Sequence, residues 1–92
     1  MSESEKELEK ILLTSFMNKA YKEYLSQQDN YDKKEMESIN KDCSIDVKNL
    51  ADFIGKNELF SNEKLFDSYL KQTVKIKQYV LDAINKDIKI KI

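Results

Sequence analysis

The chain has 92 residues, of which 36 % are charged and 40 % are hydrophobic, and its formal net charge is −1 at pH 7. This length fits one domain, and the near-zero charge argues against nucleic acid as a partner because no global basic field attracts phosphates. Pro is absent and Gly occurs once, which excludes turn-rich sandwiches and barrels and predicts an all-α fold.

The basic residues and the cysteine content also bear on the possible partners and on the cellular compartment. All 16 basic residues are Lys, so the bidentate Arg fork that reads guanine or grips phosphate is missing. Cys43 is the only cysteine, which rules out a disulfide within the chain. The sequence has no apolar run of about 18 residues and no leader-like apolar stretch. We therefore expect a cytoplasmic protein without membrane insertion, and the Lys-, Ile- and Asn-rich composition suggests a bacterial or phage source.

The first predicted helix covers about residues 4–28. Ser2 and Ser4 each precede a Glu by three residues, which is the spacing of a capping box. Apolar residues then recur every three or four positions, as in an amphipathic helix: Leu12, Leu13, Phe16, Met17, Ala20, Tyr21 and Tyr24. Residues 28–30 predict a break before the next helix.

A short and exposed second helix is predicted over residues 32–42. Only Met36 and Ile39 provide apolar anchors in this segment, so the helix buries little surface. Asp29 or Asn30 is the expected cap at its start.

The third predicted helix is also short and begins at Ser44 or Asp46. Four residues are expected on its buried face: Val47, Leu50, Ala51 and Ile54. Gly55 then occupies the position where a glycine commonly ends a helix. An Ala four residues before a Gly is also the spacing that begins a helix-turn-helix.

The fourth predicted helix, from Ser61 or Asn62 to about residue 88, is the longest. At 100° per residue, its apolar side chains cover an arc of about 220°: Leu65, Phe66, Tyr69, Leu70, Val74, Ile76, Tyr79, Val80, Leu81, Ala83, Ile84 and Ile88. An ordinary surface helix has an apolar stripe a little over 100° wide. We therefore expect this helix to be covered on more than one side, by the rest of the chain or by a partner.

These elements predict a single helical domain over residues 1–92, with 89–92 a frayed tail. In this small bundle, the long first and last helices are antiparallel and the two short helices fill one side. Leu70 and Val80 are expected in the core, so that Asp at either position would unfold the protein.

The residue types exclude the common catalytic centres. Without His, neither a Cys–His nor a Ser–His pair can form, and no Ca²⁺-loop pattern or second Cys is present. We therefore predict no catalytic residue, no metal, no cofactor and no small-molecule substrate.

A binding function remains. Three aromatic residues are the expected members of an exposed apolar patch: Phe53, Phe60 and Tyr79. The sequence thus predicts a non-enzymatic protein-binding module, such as an inhibitor, adaptor, immunity-type protein or small chaperone, whose partner is another protein or a second copy in a homodimer. The alternative is a small DNA-binding regulator with a helix-turn-helix-like segment at residues 47–71.

Overall fold

The computed structural model describes residues 2–91, with side chains through residue 86. It contains three long helices and one 3-10 turn: α1 (Glu3–Ser26), α2 (Lys33–Asn57), the turn (Leu59–Ser61) and α3 (Glu63–Lys91). The all-α prediction is confirmed. The backbone of α3 continues as a helix three residues beyond the expected end at residue 88, and Ile92 and the side chains of 87–91 lie outside the description.

Polar caps begin two of the helices where the sequence predicts them. The Ser2 hydroxyl accepts a hydrogen bond from the Glu5 N–H at 3.2 Å, and the Glu5 carboxylate accepts one from the Ser2 N–H. At the start of α3, the Asn62 side chain accepts from the Leu65 N–H at 3.1 Å. These caps satisfy backbone donors that have no partner inside a helix.

The second helix differs from the prediction, because α2 is one continuous helix of 25 residues where two short ones were expected. Asp32 caps it, accepting from the Lys34 N–H at 2.8 Å, in place of Asp29 or Asn30. Ser44 and Asp46 lie inside the helix. Residues of these types cap helices well but do not stop one, since they lack the Pro ring and the backbone freedom of Gly.

Gly55 lies within α2 and has no positive φ, so the predicted helix end at this residue is wrong. The helix ends at Asn57, and the residue that caps it, Glu58, has φ 49° and ψ 49° and donates its N–H to the Ile54 carbonyl. A left-handed conformation costs a residue with a side chain about 1–2 kcal/mol. The chain therefore ends α2 without using its one glycine.

This placement predicts that Gly55→Ala stabilises the protein. A Cβ added there meets nothing within 4 Å, and Ala in a helix interior is favoured over Gly by about 1 kcal/mol. We expect the free energy of unfolding, measured by urea titration, to rise by that amount. As a control, Ala51→Gly at an exposed site of the same helix should lower it similarly. A loss of stability in Gly55→Ala would mean that the residue ends the helix after all.

α1 and α2 are antiparallel neighbours. Near the start of α1, the Ser4 hydroxyl donates to the Asn57 side chain at 3.2 Å. Further along, the Asn18 amide donates to the Asp46 carboxylate at 2.8 Å. The start of α1 therefore lies beside the end of α2, and the two helices run in opposite directions.

α1 and α3 run parallel, so the predicted antiparallel pairing of the first and last helices is wrong. The Glu5 carboxylate accepts from the Ser68 hydroxyl at 3.1 Å, and Leu13, two turns later, shares a groove with Ile76 and Tyr79. The cause is the length of α2. A single long helix returns the chain to the end where α1 begins, and α3 then starts beside the start of α1.

The three helices form a flattened layer with α1 in the middle. α1 packs against both α2 and α3, and no α2–α3 pair of Cα atoms comes within 8 Å among the described residues. The molecule measures 45 × 27 × 17 Å. Its core takes residues from all three helices and from the turn: Leu8, Leu12, Phe53, Leu59, Leu65, Ile76 and Val80.

Candidate protein-binding surface

One side of α3 is buried against α1. Among the side chains of α3 that the structure describes, four are buried: Leu65, Gln72, Ile76 and Val80. Val80 is 5 % exposed, as its predicted core position requires, whereas Leu70 is 49 % exposed and does not belong to the core. The rest of the chain therefore covers only part of the wide apolar arc of this helix.

Four further apolar residues of α3, with Lys77 between them, form a second row, which we call the outer strip. It comprises Leu70, Val74, Lys77, Leu81 and Ile84. Val74 is 72 % exposed and Leu81 is also exposed, while Ile84, at the margin of the strip, is half-buried and packs against the core. At 100° per residue the strip is centred about 120° from the buried row. Helix α1 therefore leaves Leu70, Val74 and Leu81 exposed, and α2 lies on the far side of α1.

An aromatic cluster extends the outer strip towards the 3-10 turn. Phe60, in the turn, is 71 % exposed, and its ring meets that of Phe66 edge to face with centroids 6.0 Å apart. Phe66 in turn stacks with Tyr69 at 6.2 Å. Because Phe66 lies one helical turn before Leu70, the cluster and the strip form a continuous apolar surface.

The three residues predicted for an exposed patch do not lie together. Phe60 belongs to the aromatic cluster. Tyr79 is exposed but lies on the other side of α3, where it lines a shallow groove with Glu9 and Leu13. Phe53 is 2 % exposed and lies in the core, so its predicted exposure is wrong. A binding role for Phe60 and Tyr79 remains a prediction.

The burial of Phe53 follows from which face of α2 packs on α1. The buried residues of α2 are spaced by seven: Ile39, Asp46 and Phe53. The sequence instead indicated a face containing Val47, which is 68 % exposed. The buried face has the charged Asp46 at its centre, so it does not read as an apolar face in the sequence, since a carboxylate is rarely buried unless it is paired.

Asp46 is 5 % exposed and is held by the hydrogen bond from Asn18. It lies beside an open groove of about 500 Å³ between α1 and α2. Carboxylates and lysines both line this groove: Glu7, Asp46, Asp52, Lys10 and Lys56. The mixture of signs gives the groove no strong preference for an anion or a cation.

The Gln72 side chain of α3 forms a polar contact with α1 and so sets the register between these two helices. The Gln72 amide donates to the Glu5 carbonyl at 3.3 Å and to the Ser68 hydroxyl at 3.0 Å. Hydrogen bonds from the Ser2 N–H and then from Ser68 hold the pKa of Glu5 below its usual range. The sequence alone does not predict this contact, because the Glu5 carbonyl that Gln72 binds belongs to another helix.

A third polar contact joins α1 and α2 near the end of the layer that lies opposite the 3-10 turn. The Tyr21 hydroxyl donates to the Glu35 carboxylate. This bond favours the protonated phenol and raises the pKa of Tyr21. Both side chains are exposed, so water competes for the bond and its contribution to stability is small.

The chain exposes much surface for its size. Its accessible area is 7252 Å², about 1,700 Å² more than the roughly 5,600 Å² that area scaling gives for a folded monomer of 10.9 kDa. Its radius of gyration is 15.2 Å, against about 12 Å for a compact domain of this length. The flat layer thus leaves uncovered an area that compact folds bury.

Within the described part of the chain, no group of three His, Cys, Asp or Glu residues is placed to hold a metal ion. No helix there is long and apolar enough to cross a membrane. Comparison with protein-family models, curated proteins and solved structures finds no match to this chain. The functional argument therefore depends on the surface itself.

Proposed function

We propose that the chain is a non-enzymatic protein-binding module that acts through the outer strip and the adjoining aromatic cluster of α3. The carrying observation is the exposure of Val74, Leu70 and Phe60 on one continuous surface. Contiguous apolar surface of this kind marks protein interaction sites on soluble domains. Aromatic residues beside aliphatic ones are the composition expected at the centre of an interface.

The non-enzymatic part of the proposal comes from the residue types. The chain has no His and a single Cys, so the usual nucleophile–base pairs cannot be built. A binding role as an inhibitor, adaptor, immunity-type protein or small chaperone needs only the apolar surface. The partner is another protein or a second copy of this chain.

The proposal is tested by photo-crosslinking from the strip. Benzoylphenylalanine at position 74, on the purified chain in an extract of the source cells, should give adducts of higher mass on irradiation. The same group at position 47 is the matched control, because Val47 is equally exposed but lies on α2. We expect no adduct from position 47. Absence of any adduct from position 74, with itself or with another protein, would overturn this function.

The alternative of a DNA-binding regulator at residues 47–71 gains no support from the fold. It required a turn at Gly55, where α2 continues unbroken. The remaining argument is the lysine excess after residue 55, where the sequence has 8 Lys and 5 acidic residues. Because no observation in the structure favours it, we propose the protein-binding role alone.

A further inference from the structure

We propose that the occupant of the outer strip is a second copy of this chain, with the two α3 helices paired antiparallel about a two-fold axis. This inference rests on the proposed binding function and adds the identity and direction of the partner. It follows from three properties of α3: the spacing of the strip, the position of Lys77 within it, and the surface that the isolated chain leaves uncovered.

The strip has the spacing of a coiled-coil seam. Its residues fall at 70, 74, 77, 81 and 84, which alternates steps of four and three and averages 3.5 residues. This period, rather than 3.6, keeps a row of side chains facing a partner helix along its whole length. From position 70 to 84 the seam runs about 21 Å at 1.5 Å per residue. The sequence continues the same spacing at Ile88.

Lys77 selects the direction of pairing. In a parallel pair in register, the two Lys77 residues would occupy the same layer of the seam and repel each other. In an antiparallel pair centred between positions 77 and 81, each Lys77 lies opposite Leu81 of the other copy. The lysine stem can then cover that leucine while its ammonium group reaches water. In the same register Val74 lies opposite Ile84 of the other copy.

The uncovered area fits a dimer. The excess of about 1,700 Å² over a compact monomer belongs to the whole elongated chain, and a standard interface takes roughly 800 Å² from each partner, so burial of the outer strip and the aromatic cluster stays within that excess. A two-fold axis uses the same strip on both copies, so no second surface is needed to complete the interface. The aromatic cluster at the turn adds to this area, since Phe60 is largely exposed.

The solution mass tests the identity of the partner. We expect the wild-type chain to be a dimer by light scattering, and Val74→Glu to raise the dissociation constant by about tenfold or more, since each copy would bury a charge. Val47→Glu is the matched control and should remain a dimer. Leu81→Glu, paired with the exposed Ile45→Glu on α2, repeats the comparison, and circular dichroism verifies that each variant is helical.

Each outcome decides between the proposals. A dimer that survives both Val74→Glu and Leu81→Glu would overturn this interface. A wild-type chain that is monomeric at hundreds of micromolar would overturn the second copy as partner. If position 74 then crosslinks to another protein, the binding function stands with a different partner. If it crosslinks to nothing, the function is overturned as well.

Disulfide trapping tests the direction. In a Cys43→Ser background, a mixture of Val74→Cys and Ile84→Cys chains should form a mixed disulfide on mild oxidation, because the antiparallel register places these positions in one layer. Leu70→Cys alone should not crosslink, since its two copies lie far apart in that register. Rapid crosslinking of Leu70→Cys without the mixed pair would show a parallel dimer and overturn the proposed direction.

Discussion

Val80→Asp is expected to abolish folding of the chain. Val80 is 5 % exposed and packs in the core with Ile76 and Leu65. An aspartate there must either bury a carboxylate without a partner or pull α3 away from α1. Either change costs several kcal/mol, against a total stability of about 5–15 kcal/mol for folded domains. A chain of this size buries a modest core and lies near the lower end of that range.

The measurement is the helical circular dichroism signal and its loss on heating. Two other substitutions to Asp are measured in parallel as controls. Val47→Asp changes an exposed valine on α2 and should alter the free energy of unfolding by about 0.5 kcal/mol or less. Leu70→Asp should also leave the chain helical, although the sequence placed this residue in the core. If Val80→Asp melted like the wild type, α3 would not pack on α1 through this face.

The features that could be predicted from the sequence are those fixed by nearby residues. The capping box of Ser2 and Glu5 and the Asn62 cap are each formed within a few positions along the chain, so their spacing identifies them. The helical composition is likewise a sum of local preferences. The surplus apolar arc of α3 is visible for the same reason, since it needs only the helical period.

The topology could not be predicted because it depends on one helix boundary. Residues 42–46 contain Asp and Ser, which favour caps when a helix stops nearby and are tolerated when it continues. The choice between them lies in the packing of α2 on α1, where Asn18 stabilises Asp46. Because the sequence predicts two short helices in place of α2, it also predicts the wrong direction for the last helix relative to α1.

The candidate surface likewise depends on how the helices pack, which the sequence does not give. The sequence showed that α3 has more apolar surface than one neighbour covers, but the half that is buried depends on where α1 lies. Leu70 and Val80 are both apolar and belong to the same arc, yet only Val80 faces α1. The sequence places Phe53 off the face that contains Val47 and Ile54, whereas the buried face of α2 contains Phe53 and has the charged Asp46 at its centre.

Asn18→Leu is expected to destabilise the protein by about 1–3 kcal/mol, because the Asp46 carboxylate would lose its hydrogen-bond donor while remaining buried. Leu has the same number and branching of side-chain heavy atoms as Asn, so the substitution removes the donor without leaving a cavity. The effect is measured as the free energy of unfolding in urea. Asn49→Leu is the matched control, because Asn49 lines the same groove whereas the donor to Asp46 is Asn18, and it should change the free energy of unfolding little.

A double-mutant cycle shows whether the loss comes from the pair itself. If Asn18 acts through Asp46, then Asn18→Leu in an Asp46→Leu background should cost less than in the wild type, because no buried carboxylate is left unpaired. The coupling energy should reach about 1 kcal/mol or more. Additive effects would mean that Asn18 contributes only its own packing, and that water entering the α1–α2 groove satisfies Asp46 equally well.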